Sequence, residues 1–328
     1  MAKKTSSKAM RSRSKAKKMT PAVRTIRYEL TNSANPGTET SHYVDLARDI
    51  SILNRRLYRQ GRDYHVKKIT IVSSNTPNVG YTDPSTLISG ARVSVSTIPS
   101  NWVSREAWKR GFQTWTKMNN EALSQVSGSI AGTWSDFKVH MTNDERLATK
   151  LIPKDNGGND FIVGEWLYST LVSPDGTTTD NDFQLHMLGD HVGGAGSRSS
   201  VGLVKSYGES RATVNAQDPN VPNEASSDPL VNVFDYGTTI DDVIDDLEFY
   251  NDNPPYDIAN YPGDDGNAPK PTIAQDTVLS DGRATMAGFN ALCGLLEFET
   301  KSSIASDVFS VLVELAPGNY RGIKADVI

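Results

Sequence analysis

Cysteine is almost absent from this chain. Its 328 residues include one, Cys293, so neither an intrachain disulfide nor a cysteine-built zinc cage can form. The apolar run 290–296 around that residue predicts a buried, inert thiol. Long hydrophobic runs are missing too: nothing approaches the about 18 consecutive apolar residues of a membrane span. The first 20 residues lack the apolar segment of a secretory signal, which argues against export by that route. Hydrophobic residues make up 37% of the chain, low for a tightly packed helical enzyme but workable for a turn-rich β protein.

Catalytic signatures are also missing. There is no G-x-x-x-x-G-K-[ST] phosphate cradle and no G-x-S-x-G elbow. The nearest text to the elbow, Arg198-Ser199-Ser200-Val201-Gly202, has arginine where glycine is needed. Gly193-Gly194-Ala195-Gly196 precedes a strand-like run, not a helix, and reads as a flexible turn. None of the five histidines falls in H-E-x-x-H or His-x-His spacing. His186, Asp190 and His191 lie close together but read as turn residues, because a helix would put the two rings on different faces. These absences predict a non-enzymatic protein with no cofactor and no metal.

What is present is an uneven distribution of charge. Residues 1–27 hold ten of the 34 basic residues and no acid, leaving 24 basic against 39 acidic in the other 301, a balance of −15. Eight of the ten (Lys3, Lys4, Lys8, Arg11, Arg13, Lys15, Lys17 and Lys18) precede Pro21, among Ser and Ala with few branched or aromatic side chains. Such a segment buries too little to offset the entropy of ordering, so residues 1–20 read as a disordered arm. Those eight cations are the candidate nucleic-acid-binding residues, suited to neutralising phosphate without regard to base. Lys15-Ala16-Lys17-Lys18, with Arg11 and Arg13 upstream, also reads as a nuclear-localisation signal. A membrane-surface role is weaker, because the arm has no apolar anchoring face.

Beyond Pro21 the apolar residues alternate. Ile26, Tyr28 and Leu30 share one face, as do Val93 and Val95, and Phe309, Val311, Val313 and Leu315. Residues 65–73, 134–141, 161–172, 183–188 and 200–206 are further strand candidates. Turns are expected at Asn35-Pro36-Gly37, 155–159, Pro174-Asp175-Gly176 and Pro317-Gly318-Asn319. Strands spread along the chain without regular intervening helices point to an all-β sandwich of two antiparallel sheets, a jelly roll being its common large form. One helix is predicted over 103–123, capped by Asn101 or Ser104. Its stripe of Trp108, Phe112, Trp115 and Met118 packs as core or, on the sharper reading, stacks on unpaired bases.

The segment 212–269 has no Lys or Arg but thirteen acids and seven prolines. It reads as a long exposed insertion with a short helix near 240–249. Its acids 241–248 lack the spacing of an EF-hand loop. Ten carboxylates within 235–265 are expected on an outer surface or a contact between copies, away from any phosphate that the arm binds. The domain reading is an arm, 1–20, and one domain, 21–328, interrupted by this insertion.

The passage Pro99-Ser100-Asn101-Trp102-Val103-Ser104-Arg105-Glu106-Ala107-Trp108, followed by Phe112, Trp115 and Met118, resembles a segment of the capsid proteins of circular Rep-encoding single-stranded DNA (CRESS-DNA) viruses. Residues 311–315 with Ala316-Pro317-Gly318-Asn319-Tyr320-Arg321-Gly322 are similar to their final strand and its exit turn. The resemblance implies a single jelly roll that self-assembles into an icosahedral shell and packages a single-stranded DNA genome through an inward-facing arm. It also implies the virion and the host nucleus as locations, and host nuclear import machinery as a partner. RNA cargo stays open, and no membrane partner is implied. Two other readings of the residues stand beside it: a cellular nucleic-acid-binding protein with a β-sandwich interaction body, and a carbohydrate-binding β-sandwich with an incidental basic tail.

Overall fold

The period-two runs near the two ends of the chain pair with each other. In the computed structural model, which describes residues 21–73, 91–124, 134–172, 182–194, 197–211, 271–279 and 282–328, Ile26, Tyr28 and Leu30 lie opposite Val313, Val311 and Phe309. All six side chains are buried, so the alternation reports a real inner face. The expectations for the arm 1–20, for the insertion 212–269 with its short helix, and for the turn 174–176 lie outside the described residues.

The strands of the first part of the chain are β1 (Thr25–Thr31), β2 (Glu39–Asp45), β3 (Arg62–Ser73) and β4 (Ala91–Thr97). Three short ones follow: β5 (Thr170–Val172), β6 (Asp182–His186) and β7 (Ser200–Gly202). The last part supplies β8 (Thr272–Leu279), β9 (Arg283–Met286), β10 (Phe289–Leu292), β11 (Leu295–Lys301) and β12 (Val308–Leu315). It closes with β13 (Pro317–Gly318), β14 (Gly322–Ile323) and β15 (Ala325–Val327). The helices are α1 (Leu46–Asn54), α2 (Trp102–Ser124), α3 (Asn143–Leu147) and α4 (Leu203–Arg211).

Pairing is nested: β1 with β12, β2 with β11, β3 with β9 and β10, and β4 with β8, all antiparallel. Two more ladders, β3 with β12 and β4 with β11, roll this ribbon into two sheets. Their orders are β1-β12-β3-β10 and β2-β11-β4-β8, with β9 and β15 also on β3. Buried residues of both sheets form one core, Ile26, Ile69, Phe309 and Val311 from the first and Val44, Val95, Leu296 and Phe298 from the second. Each such side chain contributes about 1.5–3 kcal/mol on burial. The fold is a two-layer antiparallel β-sandwich. The turn from β10 in the first sheet to β11 in the second passes through Cys293 and Gly294, both at positive φ (60° and 69°), with Gly294 N donating to Ala291 O at 3.1 Å. The thiol is fully buried, and burial pushes its pKa up, as expected for an inert cysteine.

Between β4 and β8, the described residues Ala107, Trp108, Phe137, Val139, Leu185 and Leu203 join Leu292 and Leu295 in a second cluster, whereas Leu151 and Trp166 pack on the first. Helix α2 begins one residue earlier than expected, with Ser104 N donating to Asn101 Oδ1 at 2.9 Å. Of its stripe, Trp108 is buried against Phe137, whereas Phe112 is 38% exposed and Trp115 and Met118 are half-buried. The core reading therefore holds for Trp108. Gly61 lies so close under the indole that a Cβ there would overlap the Trp108 ring.

Three strand expectations are corrected. Residues 134–141 are irregular apart from a bridge at His140, because side chains take the backbone groups a neighbour strand would. Lys138 N donates to Ser169 Oγ and Val139 N to Gln60 Oε1. In 161–172 only Thr170–Val172 is a strand, since the preceding run is tied down through its tryptophan and tyrosine side chains. In 200–206 the strand ends at Gly202 and α4 follows, setting Leu203, Val204 and Tyr207 into the second cluster. Helix α1 was not expected, although Asp45 caps it by accepting from Arg48 N. No helix of the described residues is long and apolar enough to cross a membrane.

Candidate nucleic-acid interface

The eight cations Lys3, Lys4, Lys8, Arg11, Arg13, Lys15, Lys17 and Lys18 lie outside the described residues; the root of their segment does not. Val23 N donates to Asn54 Oδ1 at 2.8 Å, and Asn54 Nδ2 returns a bond to Val23 O at 3.0 Å. One side-chain amide thus clamps the chain just before β1. Asn54 is the last residue of α1. Arg55 follows as its left-handed C-cap and is exposed, and Arg56 is half-buried. Neither forms an ion pair with a carboxylate among the described residues. The chain therefore leaves the body beside two arginines.

These arginines stand on the lip of a cleft of about 860 Å³. One wall is the outer side of α1 (Arg48, Ile52, Arg55), another is 134–138, the third is 162–169, and Trp115 closes it from α2. Trp134 is 66% exposed, and Lys138 Nζ lies 4.7 Å over the Trp166 ring. The acids lining the cleft are Asp136 and Glu165. Asp136 is buried, accepting from Arg59 Nη1 and Gln60 N, each at 3.0 Å. Burial raises its pKa and lowers that of Lys138. Arg48 is committed elsewhere, its Nε donating to Asp49 Oδ1 at 2.7 Å. The chemistry offered to a ligand is mainly cationic and aromatic, with Glu165 as the exposed acid.

Asp45 positions the wall 162–169. Its Oδ1 caps α1, and its Oδ2 accepts from Trp166 Nε1 (3.0 Å), Tyr168 Oη (2.9 Å) and Gln60 Nε2 (3.2 Å). Beneath it, fully buried Asp49 accepts from Arg48 and, at 2.5 Å, from Tyr28 Oη. Burial carries the Asp49 pKa to about 7, against the pull of Arg48 and of the Tyr28 hydroxyl. A second hub is Glu145, bonded to His140 Nδ1 and Lys150 Nζ at 2.9 Å each. Burial opposes its ionisation, but His140 and Lys150 outweigh that and hold Glu145 below the usual range. Tyr168 stacks on His140 at 3.9 Å and lies under Lys150. Both hubs keep the 162–169 wall against the body, through Trp166 and Tyr168.

The remaining candidates are internally engaged. His186 is buried between Ser200 Oγ and Asp190 O, and burial lowers its pKa to about 4. His191 bridges Glu209 and Gly202 N. No group of three or more His, Cys, Asp or Glu side chains among the described residues is arranged to hold a metal ion. On α2, Arg105 binds Asp63, Lys109 pairs with Glu106, and Arg110 lies over the Tyr207 ring. Arg27 pairs with Glu29 on the sheet surface. The cleft was missed in sequence because its walls come from four distant segments; the pair Arg55-Arg56 directly after a helix end was the available signal.

No family model, curated protein or solved structure matches this chain.

Proposed function

We propose that the protein is a non-enzymatic capsid subunit that assembles into an icosahedral shell and packages single-stranded DNA through its basic arm. The observation that carries this reading is the nested pairing of strands into two four-membered orders, β1-β12-β3-β10 and β2-β11-β4-β8. We read that order as a jelly roll, an architecture used by viral capsid domains among others. Here it is joined to an arm with eight cations and no acid. The clamped root at Val23 supports a division of labour, a folded body below and a polyanion-binding tail above. The two text resemblances to CRESS-DNA capsid proteins, in α2 and after β12, point the same way. The virion and the host nucleus are the corresponding locations, reached through the arm's basic cluster.

Full-length protein tested by size-exclusion chromatography and electron microscopy is expected to form closed shells. Nuclease-protected nucleic acid extracted from them should be sensitive to deoxyribonuclease and not to ribonuclease. A monomer that merely shifts nucleic acid in gels would replace this reading with a cellular binding protein. A monomer indifferent to nucleic acid but retained on glycans would replace it with a carbohydrate-binding one.

A further inference from the structure

We infer that the cleft between α1, 134–138 and 162–169 is a second nucleic-acid site, in which unpaired bases stack on the exposed Trp134 while Arg55 and Arg56 hold phosphates. It rests on the reading that the arm engages nucleic acid, and extends it from the arm to the body. Three observations carry it.

The first is position. The clamp between Val23 and Asn54 fixes the start of the arm next to Arg55, so a polyanion held by the arm reaches the cleft lip at high effective concentration. The second is composition. Aromatic rings interleaved with cations form the pattern that binds single strands without sequence preference, since every base has a π-face and one phosphate. Arg55 and Arg56 lack a described carboxylate partner, and of the two lining acids Asp136 is buried and already bonded to Arg59 and Gln60, so the two arginines outnumber the one exposed lining acid, Glu165. The third is exposure. The Trp134 ring is 66% exposed and Ile162 and Leu167 are more so, apolar surface that needs a cover. The volume, about 860 Å³, lies within the roughly 300–1,000 Å³ that ligand sites occupy. Duplex is disfavoured because its base faces are already stacked.

The test uses the full-length chain and an oligo(dT) probe carrying 5-iododeoxyuridine. Photocrosslinked peptides are expected to contain Trp134 as well as arm sequence. Trp134→Ala, at an exposed position, should fold normally and weaken binding about tenfold at a salt concentration that suppresses the arm. That loss should persist as salt rises, because stacking is not screened. The Arg55→Glu, Arg56→Glu double variant should instead lose affinity mainly at low salt. Crosslinks confined to residues 1–20 together with unchanged binding by Trp134→Ala would overturn the inference. So would a Trp134→Ala variant that binds the probe normally but no longer self-associates, which would make the cleft a contact between copies. Cleft crosslinks on a protein that never forms shells would sustain this inference and remove the capsid reading.

Discussion

Replacing Asp45 by asparagine asks whether one buried carboxylate holds the cleft together. Asp45 is fully buried, and its two oxygens accept four hydrogen bonds, one from Arg48 N and three from Gln60, Trp166 and Tyr168. In one orientation the new amide keeps the helix cap and turns its NH2 toward the three donors. Tyr168 can rotate its hydroxyl and accept, but the indole N–H cannot. Gln60 cannot flip either, because its Oε1 accepts from Val139 N at 2.6 Å. Two buried donors are then orphaned, at about 1–3 kcal/mol each. In the other orientation the three donors are served by a neutral oxygen, weaker by about 1 kcal/mol each, and the cap is lost at about 1 kcal/mol. The first orientation costs about 2–6 kcal/mol and the second about 4 kcal/mol, and because the side chain takes the cheaper one the expected loss is about 2–4 kcal/mol. Urea unfolding followed by far-UV circular dichroism and tryptophan emission would measure it, with the m-value unchanged. Combining Asp45→Asn with Trp166→Phe should cost less than the two single losses together, since the second change removes one orphan. A loss below about 1 kcal/mol, or strict additivity in that cycle, would refute the argument.

Asp49 titrates near 3.8 in an unfolded chain and near 7 when folded, so its neutral form adds stability that is complete below about pH 4 and lost as pH rises through 7. Asp49→Asn should therefore flatten the fall in thermal midpoint between pH 4 and 7; an unchanged profile would count against the assignment. Trp108→Ala removes an indole packed on Phe112 and Phe137 and should cost about 3–5 kcal/mol by chemical denaturation, whereas the half-buried Trp115→Ala should cost clearly less. Gly61→Ala drives a methyl into the Trp108 ring and should lower the thermal midpoint, with Trp108→Ala in the same chain relieving part of the effect. Deleting residues 2–18 removes eight cations. It should reduce the slope of log affinity against log salt for single-stranded DNA by up to about 5–6, and an unaltered slope would show that the arm does not touch phosphate.

The legible parts of this chain were those where local pattern and burial coincide. Ile26, Tyr28 and Leu30 alternate because one face of β1 is core, and the same holds for β12, whereas in β4 the polar Ser94 and Ser96 are buried along with Val93 and Val95. Helix α2 could be read from its cap and its three-to-four spacing almost to the residue. Residues 134–141 and 161–169 misled because apolar runs that end in a packed, irregular segment look like buried strands. What distinguishes them is the destination of their backbone and side-chain polar groups, Gln60, Ser169 and Asp45, and each of those partners lies far away in sequence. Helix α1 shows the opposite case, a signal present but short: Asp45 as cap, with Leu46, Ile50 and Leu53 on one face.

Local sequence pattern alone determined that this is a β-rich body bearing a cationic, acid-free N-terminal segment, because charge runs and period two are properties of neighbouring residues. The nested sheet order, the clamp that sets that segment beside Arg55, and the cleft of Trp115, Trp134 and Trp166 were decided only in three dimensions. Each depends on pairing residues tens to hundreds of positions apart, Val23 with Asn54, Thr25 with Glu314, Asp45 with Trp166. Long-range pairs of this kind are selected by the joint burial of a whole core, and no window along the chain contains that information.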